Sequence, residues 1–220
     1  MANRGHDFAG VPLYWAVARV IDRGGMHALT VRAAAAEAGC SVGFMRHYYD
    51  TKSLLLACTY GLVTDTQLRD LEGLLSVRRR DFVGQAPLEP LGAERAAELL
   101  ATYLTLPEGW QLLVGVQLSF LALAQHDVDV ADAVGSHHAR LREVCATALS
   151  EAGVPVAALE EEAQDLWVLL IGLTALVPGL ATEDPDRRHV RVTPDKVTDI
   201  LRRHLQAAAS RHRGDVDARG

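Results

Sequence analysis

Residues 39–43 read Gly-Cys-Ser-Val-Gly, the G-x-S-x-G spacing that can raise a serine as a nucleophile. That chemistry needs a strand before the serine, to hold it on a strained strand-to-helix turn. Here an alanine-rich helical stretch precedes it, so Ser41 reads as the N-cap of a helix. His138 and Cys145 share a helix face seven residues apart. Seven residues rise about 10 Å, too far for both to hold one metal ion. The pair His137-His138 reads as surface. Asp127, Asp129 and Asp132 begin like a calcium loop, but the central Gly and closing Glu are missing. Negative charge at the start of the following helix explains them better. No G-x-G-x-x-G, P-loop or H-E-x-x-H string occurs. No catalytic residue, metal site or cofactor is expected.

The chain has 220 residues, with 49% hydrophobic and 5% aromatic side chains, which suits a globular protein and excludes a disordered one. Its 22 basic and 28 acidic residues give a net charge of −6, on average a poor match for a polyanion. The average hides an asymmetry. Residues 1–52 hold six Lys/Arg against four Asp/Glu, so the acidity belongs to the remainder. Cys40, Cys58 and Cys145 are too few and scattered for a disulfide framework, and their odd number fits a reducing compartment. The first residues lack the apolar core of a signal peptide. The longest apolar run, 166–181, is shorter than the ~20 residues that span a bilayer. Gly172, Pro178 and Gly179 also interrupt it. A cytoplasmic protein with no membrane partner is expected.

Alternating β-branched runs are absent and apolar residues recur at helical spacing, so the expected class is all-α. A first helix spans 11–23, with Pro12 in its first turn and Gly24-Gly25 as its stop. Thr30 caps a short helix over 31–38 and Ser41 another over 42–48. A long helix follows over 52–78, and the Pro/Gly-containing stretch 80–92 reads as a linker. Further helices are expected over 93–106, 110–125, 130–152 and 156–177. A polar loop covers 181–193, and an amphipathic helix starts at Pro194. Residues 211–220 read as a disordered tail.

The stretch 29–56 carries the sharpest signal. Two short helices are separated by Gly39-Cys40-Ser41, a turn that needs a left-handed residue after the first helix. Ala35 and Ala38 let the helices approach closely. This is a helix-turn-helix, whose second helix lies in the DNA major groove. The stretch resembles the TetR family of bacterial repressors at Leu29, Thr30, Val31, Arg32, Ala35, Ala38, Gly39, Ser41, Gly43, Lys52 and Leu55. It departs at Ala34, Cys40, Arg46 and Tyr48, where the family usually has Ile, Val, Tyr and His. Arg46-His47-Tyr48-Tyr49 is similar to a variant in the betaine-operon-repressor-like branch. The segments GLTALVPGLAT and TPDKVTDILRRHL are weakly similar to that branch's last two helices.

Thr30 and Ser41 sit at helix N-termini, where exposed N–H groups favour a phosphate. By resemblance, Arg32, Tyr48 and Lys52 hold backbone phosphates, which position the protein without reading sequence. Gly43 permits close approach, and Val42, Phe44 and Arg46 are the candidates for base readout. Arg46 suits a solvated surface equally well. Met45 and Tyr49 match the family's buried positions, and His47 fits either side.

A single head contacts little DNA, so a two-fold dimer on a pseudo-palindrome is expected. Apolar stripes at three- and four-residue spacing offer a four-helix interface. They are Leu159, Ala163, Leu166, Leu170, Leu173 and Val177 on one helix, and Val197, Leu201, His204 and Leu205 on the last. The same spacing also suits intramolecular core, and the resemblance favours the dimer. The middle helices, by resemblance, form an effector pocket. Its candidates are Tyr103, Trp110, Val114, Gln117, Phe120, Leu121 and Trp167, any of which also suits core. With so few aromatics, a neutral lipophilic effector fits better than a quaternary ammonium. The expected organisation is a helix-turn-helix head at 1–52, an effector-binding and dimerisation domain at 53–210, and the tail. The expected function is a ligand-responsive DNA-binding regulator, a repressor released from its operator by a small molecule. The alternative is a helical small-molecule-binding protein or enzyme that has lost operator recognition.

Overall fold

The computed structural model describes residues 13–80, 90–104, 111–176 and 192–217, all helices, turns and short connections. Pro12, Trp110, Val177, the linker residues 81–89 and the loop residues 181–191 lie outside them. The helices are α1 (Leu13–Ala28), α2 (Val31–Glu37), α3 (Val42–Tyr48), α4 (Lys52–Arg80), α5 (Gly92–Leu104), α6 (Gln111–Leu123), α7 (Val128–Glu151), α8 (Leu159–Leu176) and α9 (Pro194–Asp217). The chain divides into two compact units within α4 and α7. One comprises residues 1–65 and 109–137; the other comprises 66–108 and 138–220. The unit with the short helices therefore reaches past residue 52, taking in the start of α4, α6 and the first turns of α7.

In the first unit, α1 buries Leu13, Ala16, Val17, Val20 and Ile21 against α2 and α6. Gly25 (φ 72°) leaves helical geometry inside α1, so the Gly24-Gly25 stop takes effect there as a kink. Thr30 caps α2 by accepting from the Ala33 N–H at 3.0 Å. The other end of α2 closes with Gly39 at φ 70°. Gly39 N–H donates to Ala36 O (3.3 Å) and Cys40 N–H to Ala35 O (2.9 Å), both bonds of a Schellman motif. Ser41 then caps α3, accepting from Phe44 N–H at 3.0 Å. Ala34, Ala35 and Ala38 are buried, so the packing of α2 on its neighbours leaves no room for larger side chains there.

In the second unit, α5 and α8 pack against α9 around Leu100, Leu141, Leu166, Leu170, Leu201 and Leu205. Arg140 forks onto Glu72 (Nη2 to Oε2 2.9 Å, Nε to Oε1 3.2 Å), fastening α7 to α4. α8 starts later than the spacing predicts, because residues Val156–Ala158 form a single tight 3₁₀ turn first. α9 runs well past the expected start of a frayed tail at 211. The reason is Glu162 on α8, whose buried carboxylate accepts from Arg211 Nε (3.0 Å) and Nη2 (2.6 Å), with His212 Nε2 2.9 Å from Oε1.

The Arg211 fork holds the Glu162 carboxyl below the usual carboxylate range, with His212 adding to the effect. A depressed pKa contributes stability above the unfolded value, about 4.3, and loses it as pH falls through the folded value. Glu162→Gln is expected to cost about 1–3 kcal/mol at pH 7, less than a fully buried pair because Arg211 is half in water. Urea unfolding at pH 7 and pH 3 checks this: the gap from wild type should close in acid, and a gap of constant size would contradict it.

Candidate nucleic-acid interface

α3 is seven residues long and two-faced. Met45 is fully buried and Tyr49, its C-cap, nearly so. Burial, with Cys58 and Tyr48 contributing, pushes the Tyr49 phenol up to about 12, so it stays neutral. The opposite face meets solvent. Phe44 is 45% exposed and Tyr48 38%, their rings edge-on with centroids 5.2 Å apart. His47 sets its ring edge against Tyr48 at 5.0 Å. Gly43, Arg46 and His47 are exposed and Val42 is half-buried. An exposed aromatic pair on a helix anchored by a buried methionine is a presented surface, since core packing would have turned Phe44 inward.

Charge is distributed unevenly in this unit. Glu37 takes up two of its cations: Arg19 Nε lies 3.3 Å from Oε1, and Arg23 binds Oε2. Arg32 and Arg46 are exposed, and no ion pair to either occurs among the described residues. Lys52 is exposed and donates to Met26 O at 3.2 Å, with two ammonium hydrogens left. Thr30 and Ser41 use an oxygen lone pair for capping, which leaves each hydroxyl hydrogen to donate. The surface thus offers neutral donors, two unpaired guanidiniums and an apolar ridge. That set can hold phosphates and touch base edges.

A family model described as "BetI-type transcriptional repressor, C-terminal" matches residues 92–210. The HTH-type transcriptional regulator PksA of Bacillus subtilis (strain 168) is 30% identical over 195 residues, 86% of this chain and 84% of that protein. The chain belongs to the TetR family. It is a DNA-binding transcriptional regulator. The TetR-family fold is shared with a transcriptional regulator from Rhodococcus sp. Rha1 (TM-score 0.68, 20% identity, covering 90% of this chain and 94% of that one). It is shared too with a transcriptional regulator from Saccharomonospora viridis in complex with choline (TM-score 0.61, 19% identity, 89% and 92%). The kind of partner that follows is DNA. No helix among the described residues is long and apolar enough to cross a membrane.

For this TetR-family chain the expected effector residues fall in both units. Gln117, Phe120 and Leu121 belong to the first, with Gln117 and Phe120 buried and Leu121 half-buried. Tyr103, buried, and Trp167, half-buried, belong to the second. Trp110 and the side chain of Val114 are outside the described set. Phe120 packs on Tyr60 (centroids 5.1 Å), which meets His137 edge-on at 5.7 Å. Tyr60 and His137 were not among the expected residues, and His137 is buried instead of lying on the surface. Its spacing with Val130, Val134 and Leu141 marks the inner stripe of α7, a signal present in the sequence. Trp167 lies under Arg142 (5.8 Å to the ring centroid) and beside His138 (5.3 Å). His138 is half-buried, and burial, with Arg142 adding, lowers its pKa, so it is neutral at pH 7.

The stripes expected at the dimer interface occupy the second unit's own core. Ala163, Leu166, Leu170, Leu173, Val197, Leu201 and Leu205 are buried within a single chain, and Leu159 and His204 are half-buried. A side chain already buried has no surface left to offer a partner. The apolar surface that α8 leaves exposed lies on another face, at Val168 (55%) and Leu176, with Gly172 between them.

The two faces of α3 make opposite predictions. Met45→Ala should destabilise the chain by about 2–5 kcal/mol, as a buried large-to-small change does. Phe44→Ala should cost under about 1 kcal/mol in stability, because so much of the ring is already in water. Chemical denaturation of both variants decides it, and equal losses would contradict the assignment of faces.

Proposed function

We propose that this chain is a repressor that binds a pseudo-palindromic operator in the cytoplasm as a homodimer and leaves it when a small molecule binds. The observation that carries this reading is the exposed face of α3, held outward by Met45 and flanked by unpaired guanidiniums. Val42, Phe44 and Arg46 read bases: the apolar side chains meet thymine methyls, and Arg46 pairs bidentately with a guanine. Thr30, Arg32, Ser41, Tyr48 and Lys52 hold phosphates, Gly43 permits the close approach, and His47 supports the Tyr48 ring. The second copy docks on the exposed α8 stripe Val168-Gly172-Leu176, alongside the outer face of α9 at Ile200, Arg203 and Ala207. No membrane partner is involved.

Effector recognition centres on Tyr60, Gln117, Phe120 and His137. Among the described residues, the buried polar side chains of this unit are Thr59, Thr64, Gln117 and His137, with no carboxylate or guanidinium. A charged ligand there would lose its hydration without a counter-ion, so the effector is neutral and largely apolar. The choline held by the Saccharomonospora neighbour is a cation, and this set supplies no anion to match it. Release follows from differential affinity. The effector binds the conformation in which the two heads are set wrongly for the operator and shifts the population toward it.

Electrophoretic shift with the DNA flanking the chain's own gene tests the reading. Selective binding that falls steeply with salt is expected, and a dimer that shows neither selectivity nor salt dependence would overturn it. Arg46→Ala should relax sequence preference by about 1–3 kcal/mol at one position, whereas Lys52→Ala should weaken all DNA alike. Equal, sequence-blind losses from both would contradict the roles. Val168→Glu should convert the dimer to monomer in sedimentation while Leu166 stays buried. A dimer unchanged in mass would remove this face from the account.

A further inference from the structure

The connection from the recognition helix into the first turn of α4 is tied at three points. Thr51 caps α4, accepting from Leu54 N–H at 3.0 Å. Lys52 donates to Met26 O near the end of α1. Ser53 Oγ, half-buried, donates to Asp127 Oδ2 at 2.5 Å, across 74 residues of sequence. Asp127 is itself engaged twice, since Oδ1 accepts from Val130 N–H (3.2 Å) and so caps α7. The Ser53 bond, with the backbone bonds of the α7 cap, keeps the Asp127 carboxyl below the usual carboxylate range, so it is an ionised acceptor at neutral pH. One carboxylate therefore fixes the start of α7 to the first turn of α4. Only Tyr49, Asp50 and Thr51 separate that turn from the end of α3.

We infer that Ser53 and Asp127 are positioning residues for DNA reading: their hydrogen bond sets the orientation of α3 from the position of α7. The inference rests on the proposed role of α3 and adds the element that aims it. Tyr60, Phe120 and His137 lie on α4, α6 and α7, the helices on either side of this bond within the same unit. A ligand that displaces α6 or α7 moves Asp127, and through Ser53 it moves the helix start that carries α3. Without the bond the head samples more orientations. The fraction aligned for the operator falls, and the apparent dissociation constant rises by the inverse of that fraction.

The test uses the full chain, the DNA flanking its own gene and a random duplex of equal length. Dissociation constants are measured beside melting curves. Ser53→Ala should weaken operator binding about tenfold, the size of a typical coupling between sites. Random-duplex affinity and the melting temperature should stay near wild type, since no phosphate contact or buried group is lost. Asp127→Ala should weaken operator binding at least as much, and Ser53→Ala should add nothing in that background. Asp127→Asn, whose amide oxygen keeps the cap while its NH2 donates to Ser53 Oγ in a reversed bond, should restore most of the affinity. Undiminished operator preference in Ser53→Ala, or effects that multiply in the double variant, would overturn the inference while leaving the DNA-reading function intact. Failure of the wild-type chain itself to prefer its operator would overturn both.

Discussion

Two helices of seven residues cannot hold themselves. Isolated helices shorter than about 12–15 residues are marginal in water, so α2 and α3 exist only because their ends are satisfied and one face of each is buried. Thr30 and Ser41 take the N-terminal N–H groups, and the Schellman bonds at Gly39 take the carbonyls between them. Ala34, Ala35 and Met45 fill the inner side. Gly39 stands at φ 70°, and an added Cβ there would meet no atom within 4 Å, so its constraint is purely a backbone one. Everything proposed for α3 depends on this arrangement. An exposed Phe44 is useful for recognition only on a helix that cannot roll it inward.

Electrostatics then decides what this surface attracts. Glu37 neutralises Arg19 and Arg23, so among the described residues of the head the basic side chains without an ion pair are few and include Arg32 and Arg46. The chain as a whole is acidic. Weak general attraction to DNA with recognition concentrated on a few side chains fits a regulator that must be able to leave. It also makes two heads acting together more important than the affinity of either, which is why the exposed stripe on α8 matters to the functional reading.

Much of this was legible in the sequence where the cause is local. The caps at Thr30 and Ser41 and the turn at Gly39 follow from residue type within a few positions, and the buried positions Met45 and Tyr49 follow from the family resemblance. Where cause is distant, legibility ends. The stripe Leu166-Leu170-Leu173 announces a buried face without naming what covers it, and the cover is the chain itself. His137 keeps helical step with Val130 and Val134, but its neighbour His138 made the pair look like surface. Nothing near Glu162 reveals that Arg211 and His212 will extend α9 to reach it. The Ser53–Asp127 bond joins residues whose types are unremarkable at both ends.

The central claim is that one face of α3 and the N-termini beside it meet DNA. Hydrogen-exchange mass spectrometry of the full chain, with and without the operator-bearing duplex, tests it most directly. The account predicts slowed exchange at residues 30–34 and 41–53, reversed at high salt, with the core of α8 and α9 unchanged. Protection confined to the second unit, or none over α2 and α3 in a chain that does bind the duplex, would contradict it.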